Sequence, residues 1–268
     1  MSLSHPTTPR WIPLWTSFTF LLRSGSLVSW SLALTLATAL LTWLGFHLST
    51  DLLDSVTGSF LTAEPARDGW LGWLKYSGWW LASSLFIFIS RIIAFFVAFL
   101  LAYTLTSPFY SFLSAATEKR FLGSAYQDDE KLSISGILRD LFEGLKIAGF
   151  GIVVTIIAVL ISLVPFFGQL AVIFLYTCYA TLMFIDYPTS RKRWSLGHKL
   201  TWLRLHLPAS IRLGIFPAVI GMIPVLNVLL MALFFPLLTV HATLNFCRIE
   251  QTATPPPETR GSAKPTPA

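Results

Sequence analysis

From Ile147 to Ile185 the chain carries no charged side chain, yet the middle of that run reads ISLVPFFGQLAV, with Pro165 and Gly168 set where a helix would otherwise continue. The run is longer than the roughly 20 apolar residues that take a helix across a bilayer. Three other stretches are similar: Ser24 to Thr50, Tyr76 to Thr117 broken only by Arg91, and Leu213 to Cys247. Only 12% of the residues are charged, against roughly 25% in soluble domains. With a mean hydropathy of +0.67, the chain reads as a polytopic membrane protein. Backbone groups in hydrocarbon must be satisfied within their own segment, so the expected fold is all-α and integral to the membrane.

The net charge of +6 does not point to nucleic acid, because the basic residues are distributed by loop. Residues 49–78 hold Arg67 and Lys75 against Asp51, Asp54, Glu64 and Asp68, whereas 111–146 holds five Lys or Arg and 186–212 holds six. Basic loops stay inside. That places both termini in the cytoplasm and leaves 49–78 as the external loop. The triplet Ala37-Thr38-Ala39 imitates a signal cleavage site, but the apolar run continues through LLTWLGFHL, so a retained first span is expected. Cys178 and Cys247 lack ligand spacing and read as packing residues; no metal or cofactor is expected.

One helical membrane domain, 11–250, is expected between two tails, 1–10 and 251–268, whose Pro, Thr and Ser content predicts disorder. Ser107-Pro108 reads as the cap and first turn of a new short helix lying along the inner surface, with Phe109, Phe112, Leu113 and Ala116 on its apolar face. Ile137, Leu138, Leu141, Phe142 and Leu145 form an amphipathic lead into the third apolar run, and Leu196, Leu200, Leu203 and Leu207 repeat the pattern before the fourth. LVPFFGQL at 163–170 corresponds to MIPVLNVL at 222–229, and ATLMFID at 180–186 to ATLNFCR at 242–248. The two copies predict two helical hairpins. The arm from Ile147 to Val164 is about 27 Å of helix, while that from Leu213 to Ile223 is about 16 Å, or about 22 Å if it starts at Ala209. A hydrocarbon core is about 30 Å thick, so the hairpins are expected to dip and return rather than span.

TSPFYSFLSAATEKR, the DYP at Asp186 to Pro188, and IPVLNVLLMALFFPLLTVHATL resemble, in order and spacing, the CysZ sulfate permease and etoposide-induced protein family. The resemblance implies two long transmembrane helices plus two hemi-penetrating helical hairpins, in agreement with the arm lengths. It also implies a homo-oligomer in the lipid bilayer that passes sulfate, a small inorganic anion, into bacteria. In the sulfate permeases a Gly-Leu-Arg-Arg-like turn before the first long helix binds the anion. Here RSGSLVSW keeps Gly25 but has Leu27 and Val28 where the arginines fall. Gly25, Ser26 and neighbouring amides at a helix N-terminus are the candidates that remain, with Arg23 as a displaced charge.

Arg91 lies about 18 Å past Trp79 along a helix, near mid-membrane by that measure. It serves either as a fixed charge that draws anions or as a structural group paired with Asp186, a helix-end carbonyl or a lipid headgroup. Gln169 and Asn227 follow the two hairpin turns, and either face a hydrated path or cap the turn backbone. Asp186 either caps or pairs with the run Arg191 to Arg193. His241 is a proton relay or a hydrogen-bonded core histidine. No phosphate-binding glycine loop, HExxH or nucleophile elbow occurs, so an enzyme is not expected. Two functions remain: a permease or channel for a small anion, and a noncatalytic protein that organises membrane or binds partners.

Overall fold

The computed structural model describes residues 11–61, 64–126, 134–223 and 226–253. Among these residues there are eight α-helices, one 3-10 turn (Gly123–Ala125) and no strand. The helices are α1 Leu14–Leu22, α2 Gly25–Leu61, α3 Gly69–Leu122, α4 Ile134–Ser162, α5 Phe167–Ser190, α6 Leu196–Leu205, α7 Leu207–Gly221 and α8 Leu226–Ala253. Segments of α2, α3, α4, α5 and α8 are each long and apolar enough to cross a bilayer. The chain is therefore an all-helical membrane protein. Residues 1–10 and 254–268 of the expected tails lie outside the described residues, as do Gln127 to Glu130 and Pro224 of the second turn.

Helices α2 and α3 run antiparallel along a seam of small side chains. Ala94, Ala98 and Ala102 recur every fourth residue of α3 and are all buried, followed one turn later by the buried Thr106. A Cβ on Gly45 would stand 3.1 Å from that of Ala98. Lipid tails are as apolar as leucine, so close backbone approach rather than hydrophobic burial holds such helices together. Thr38, Thr42 and Thr106 donate to carbonyls four residues back, at 2.7–2.9 Å, and so bring no open donor into the seam.

The surface helix expected at 107–122 does not exist as a separate element. Pro108 lies inside α3, which runs on to Leu122 and turns its last third into the core. Both sides of it contribute to the burial: Ser114 and Thr117 are completely enclosed together with Leu113 of the expected apolar face, whereas Phe109 of that face is exposed. The hydroxyls explain this. Ser114 Oγ meets Thr243 Oγ1 at 2.8 Å and Thr117 donates to the Leu113 carbonyl, so small polar groups pack helix against helix without loss of hydrogen bonds. The chain continues through Pro108 because a membrane helix tolerates one missing N–H where neighbouring groups re-satisfy the backbone.

Helix α8 is the axis of the core. Phe235, Leu238, Val240, Leu244 and Phe246 are buried on it, in one cluster with Tyr110 and Leu113 of α3, Ile185 of α5 and Trp202 of α6. Helix α1 is bound to it by Asn245, whose side chain accepts from the Ile12 amide at 3.0 Å and donates to the Ile12 carbonyl at 3.1 Å. Ser17 Oγ is 2.8 Å from His241 Nδ1, which makes His241 a hydrogen-bonded core histidine.

Helices α4 and α5 pack against each other, as do α7 and α8, and the arms of each pair are unequal. Helices α4 and α5 are about 43 Å and 36 Å long, because α4 begins at Ile134 and takes the amphipathic lead into itself. Length alone therefore no longer marks the first hairpin as shallow. Helix α7, at about 22 Å, remains short against the roughly 30 Å core, and it meets α6 at a 106° bend. The break at Pro165 is a γ-turn: Phe166 has φ 64° and ψ −65°, and the Phe167 amide donates to the Pro165 carbonyl at 2.8 Å. Gly168 is required directly after it, because a Cβ there would run into the Ile161 carbonyl of α4. Gly214 does the same between α7 and α5, lying against the Thr177 carbonyl and the Thr181 hydroxyl.

Candidate functional site

The turn between α1 and α2 holds the first three candidates. Helix α1 ends as the Arg23 and Ser24 amides bond back to Thr19 and Leu21 carbonyls, and α2 begins with the Val28 amide on the Ser24 carbonyl at 2.9 Å. The amides of Gly25, Ser26 and Leu27 are thus among the first-turn donors that no helical carbonyl can reach. Arg23 and Ser26 are exposed, and a Cβ placed on Gly25 would meet nothing within 4 Å, so the approach to these amides is open. Ser24, overlooked in the sequence, occupies the cap position. Its hydroxyl is buried without a hydrogen-bond partner, although a serine there ordinarily accepts from the second or third helical amide.

A second cation arrives from an unexpected direction. Arg120, at the end of α3, places Nη2 3.4 Å from the Arg23 carbonyl. No spacing rule connects residues 23 and 120; only the inward course of α3 brings them together. The two positions where arginines fall in the sulfate permeases are occupied differently: Leu27 is buried in the main core cluster and Val28 is half-buried. Leu27, 1% exposed, could not be replaced by a charged side chain without opening the packing.

The other candidates sit apart from this turn. Arg91 is paired with Asp54 of α2, Nη2 lying 3.0 Å and 2.8 Å from the two carboxylate oxygens, and not with Asp186. Asp54 is 29 residues beyond Gly25, about 44 Å along α2, so the pair and the turn cannot act on one ion at once. Asp186 pairs with Lys199 of α6 at 2.6 Å, and not with the run Arg191 to Arg193. Arg191 instead reaches Glu118 at 2.8 Å, and Lys192 reaches Glu250 at 3.5 Å. Glu118 is therefore a paired, mostly buried group. The reason is the inward turn of α3 and α6, which carries charges that look amphipathic in sequence into contact with α5.

Asn227 caps its turn, donating from Nδ2 to the Gly221 carbonyl at 3.1 Å, while its Oδ1 is buried without a partner. Gln169 is exposed on the first turn of α5. Among the described residues no three His, Cys, Asp or Glu side chains lie together as a metal would need.

With this geometry in place, comparison with known proteins is informative. A profile of the family described as Sulfate transporter CysZ/Etoposide-induced protein 2.4 matches residues 13–232. The chain belongs to that family. A relative named Sulfate transporter CysZ, from Pseudomonas fluorescens (strain Pf0-1), is 26% identical over 194 residues, covering 70% of this chain and 74% of the relative. The CysZ/etoposide-induced match begins just ahead of α1 and ends inside α8, so the α1–α2 turn, Arg91, Arg120 and Asp186 all lie within it. The chain is accordingly a multi-pass membrane protein of this family.

Proposed function

We propose that the protein is a permease or channel for a small inorganic anion, sulfate foremost, in a bacterial inner membrane with both termini cytoplasmic. The anion is held at the start of α2 by the amides of Gly25, Ser26 and Leu27 and by two guanidinium groups, Arg23 and Arg120. The observation that carries this reading is the contact of Arg120 with the Arg23 carbonyl, which returns to the turn a charge that its own sequence lacks. A helix N-terminus attracts anions through its open amides and its dipole, and a planar guanidinium matches two oxygens of a tetrahedral oxyanion.

The short α7 and the exposed Leu163, Val164, Phe166 and Phe167 at the first turn support hairpins that end inside hydrocarbon. Four large apolar side chains at a tip in water would be costly, whereas a tip in lipid needs only the backbone satisfaction that the γ-turn supplies. With Gly25 at the inner surface, Arg91 and Asp54 then stand near the outer one, since about 44 Å along α2 exceeds the hydrocarbon core. Arg91 is in that case a structural group.

The test is flux of radiolabelled sulfate into liposomes carrying the purified protein, with Arg120→Ala, Arg23→Ala and their double variant alongside. Loss of flux in the double variant, with the size-exclusion profile unchanged, is the expected result. Wild-type flux equal to that of empty liposomes refutes transport of sulfate and leaves the partner-binding, membrane-organising role, which the neutralised Arg91 and the absent arginine pair favour.

A further inference from the structure

The anion turn takes its amides from α2 and one guanidinium from α3, but Arg23 follows the last residue of α1, so the direction of α1 decides where that charge stands. The side-chain contact at this end of α1 is weak. Arg120 meets the Arg23 carbonyl at 3.4 Å in an exposed setting, beyond the roughly 2.7–3.2 Å of a good N–H···O bond. Leu21 is buried in the core cluster, but apolar contact is non-directional and does not fix an angle.

The directional contacts lie at the other end. Ile12 precedes Pro13, the N-cap of α1, which offers no side-chain bond, so the Ile12 N–H and C=O both stand outside the helical ladder. Asn245 of α8 satisfies the two together, Oδ1 accepting at 3.0 Å and Nδ2 donating at 3.1 Å. Nδ2 also donates to the His241 carbonyl at 3.0 Å, so the carboxamide has one orientation. Five residues along α1, Ser17 Oγ lies 2.8 Å from His241 Nδ1, and the Trp11 ring packs edge-on against His241 at 5.6 Å. His241 and Asn245 are four residues apart and share one face of α8. Two turns of α8 therefore grip α1 at two points, and two points fix an axis. From Ser17 to Arg23 is about 9 Å of helix, so a tilt of about 10° at the clamp moves Arg23 by about 1.6 Å, enough to part a hydrogen bond.

We propose that Asn245, with His241 beside it, is a positioning residue for anion binding: it touches no anion, and by holding the start of α1 it sets Arg23 against the open amides of α2. The inference rests on the anion reading of the α1–α2 turn. Thr239, equally buried on α8, donates to the Phe235 carbonyl of its own helix and provides a control that does not touch α1.

The experiment uses the full chain in liposomes, without Cys178 and Cys247, with spin labels on Leu22→Cys and Gln251→Cys, both exposed positions near the ends of α1 and α8. Double electron–electron resonance reads their separation, and uptake of radiolabelled sulfate is followed in unlabelled protein. Asn245→Leu, comparable in size but without the carboxamide, should broaden a single narrow distance and raise the half-saturating sulfate concentration about tenfold with the maximal rate retained. Asn245→Gln should recover part of both effects, and Thr239→Val should produce neither. Ser17→Ala removes the second grip from the α1 side and should act in the same direction, which decides the matter even where Asn245→Leu does not fold. An unchanged distance in these variants overturns the clamp, and a broadened distance with unchanged half-saturation overturns its bearing on the anion. Equal changes in Thr239→Val would reduce Asn245 to a packing role. Wild-type protein without sulfate flux removes the anion reading and this role with it, while the distances still decide whether Asn245 holds α1.

Discussion

The contact between Asp186 and Lys199 offers the sharpest test of the fold. Lys199 is 0% exposed and Asp186 14%, with Nζ and Oδ1 2.6 Å apart, so water screens the pair very little. Replacing Lys199 by methionine keeps much of the side-chain volume and removes the charge. The carboxylate is then left buried opposite an apolar group, and breaking a buried pair in this way costs roughly 3–5 kcal/mol. At roughly 2–4 °C per kcal/mol for a chain of this size, the melting temperature should fall by roughly 6–20 °C. The double variant Lys199→Met, Asp186→Leu removes both charges and should recover most of the loss, since a buried pair is often no better than the apolar groups that fill its place. Thermal unfolding followed by fluorescence-detected size-exclusion chromatography measures all three proteins in one detergent. An unchanged melting temperature in Lys199→Met, or a double variant no better than the single one, would refute the argument that this pair fastens α6 to α5.

Arg91→Leu should behave oppositely. Its pair with Asp54 is exposed, with side chains 36% and 63% accessible, so the loss should stay below about 1 kcal/mol and be indifferent to any change at Asp186 in the same thermal assay. Gly214→Ala should destabilise by about 1–3 kcal/mol, because the new methyl group meets the Thr177 carbonyl and the Thr181 hydroxyl. Gly149→Ala, where nothing lies within 4 Å, should be neutral or slightly stabilising. In a background without Cys178 and Cys247, cysteines at Asp68 and Ala125 should label from the outside and the inside respectively with an impermeant maleimide; labelling of both from one side would refute the inside-positive topology.

Charge and hydropathy alone were enough to establish a membrane protein, because burying or exposing charge in hydrocarbon is so costly that composition records the solvent. The break between α4 and α5 was equally legible. Pro165, Gly168 and the repeated MIPVLNVL interrupt apolar runs at matching places, and a proline and a close-packed glycine have few other reasons to be there. The family signature at Ser107 to Arg120 and Asp186 to Pro188 pointed to the matching family for a similar reason: it is a long ordered set and not a single short motif. The short α7 was also readable, since Leu213 to Ile223 is too few residues to cross.

What the sequence could not reveal is where polar side chains find each other. Serine and threonine look indifferent in a helical pattern, yet Ser114 meets Thr243 and Thr38 meets Thr106 across helix contacts, because their hydroxyls bond to the backbone or to each other once another helix excludes lipid. Periodicity cannot distinguish a face turned to the membrane surface from one turned to a partner helix, which is why the segment after Pro108 was assigned to the surface. The partners of Arg91, Arg120, Asp186 and Glu118 likewise belong to other elements. Hydrophobicity along the chain thus determined the solvent, the helices and the turns, all of which are local or one-dimensional properties. The register in which those helices pack was decided only in three dimensions, where close backbone approach and the pairing of most buried polar groups select one arrangement, and with it the second arginine at the α1–α2 turn.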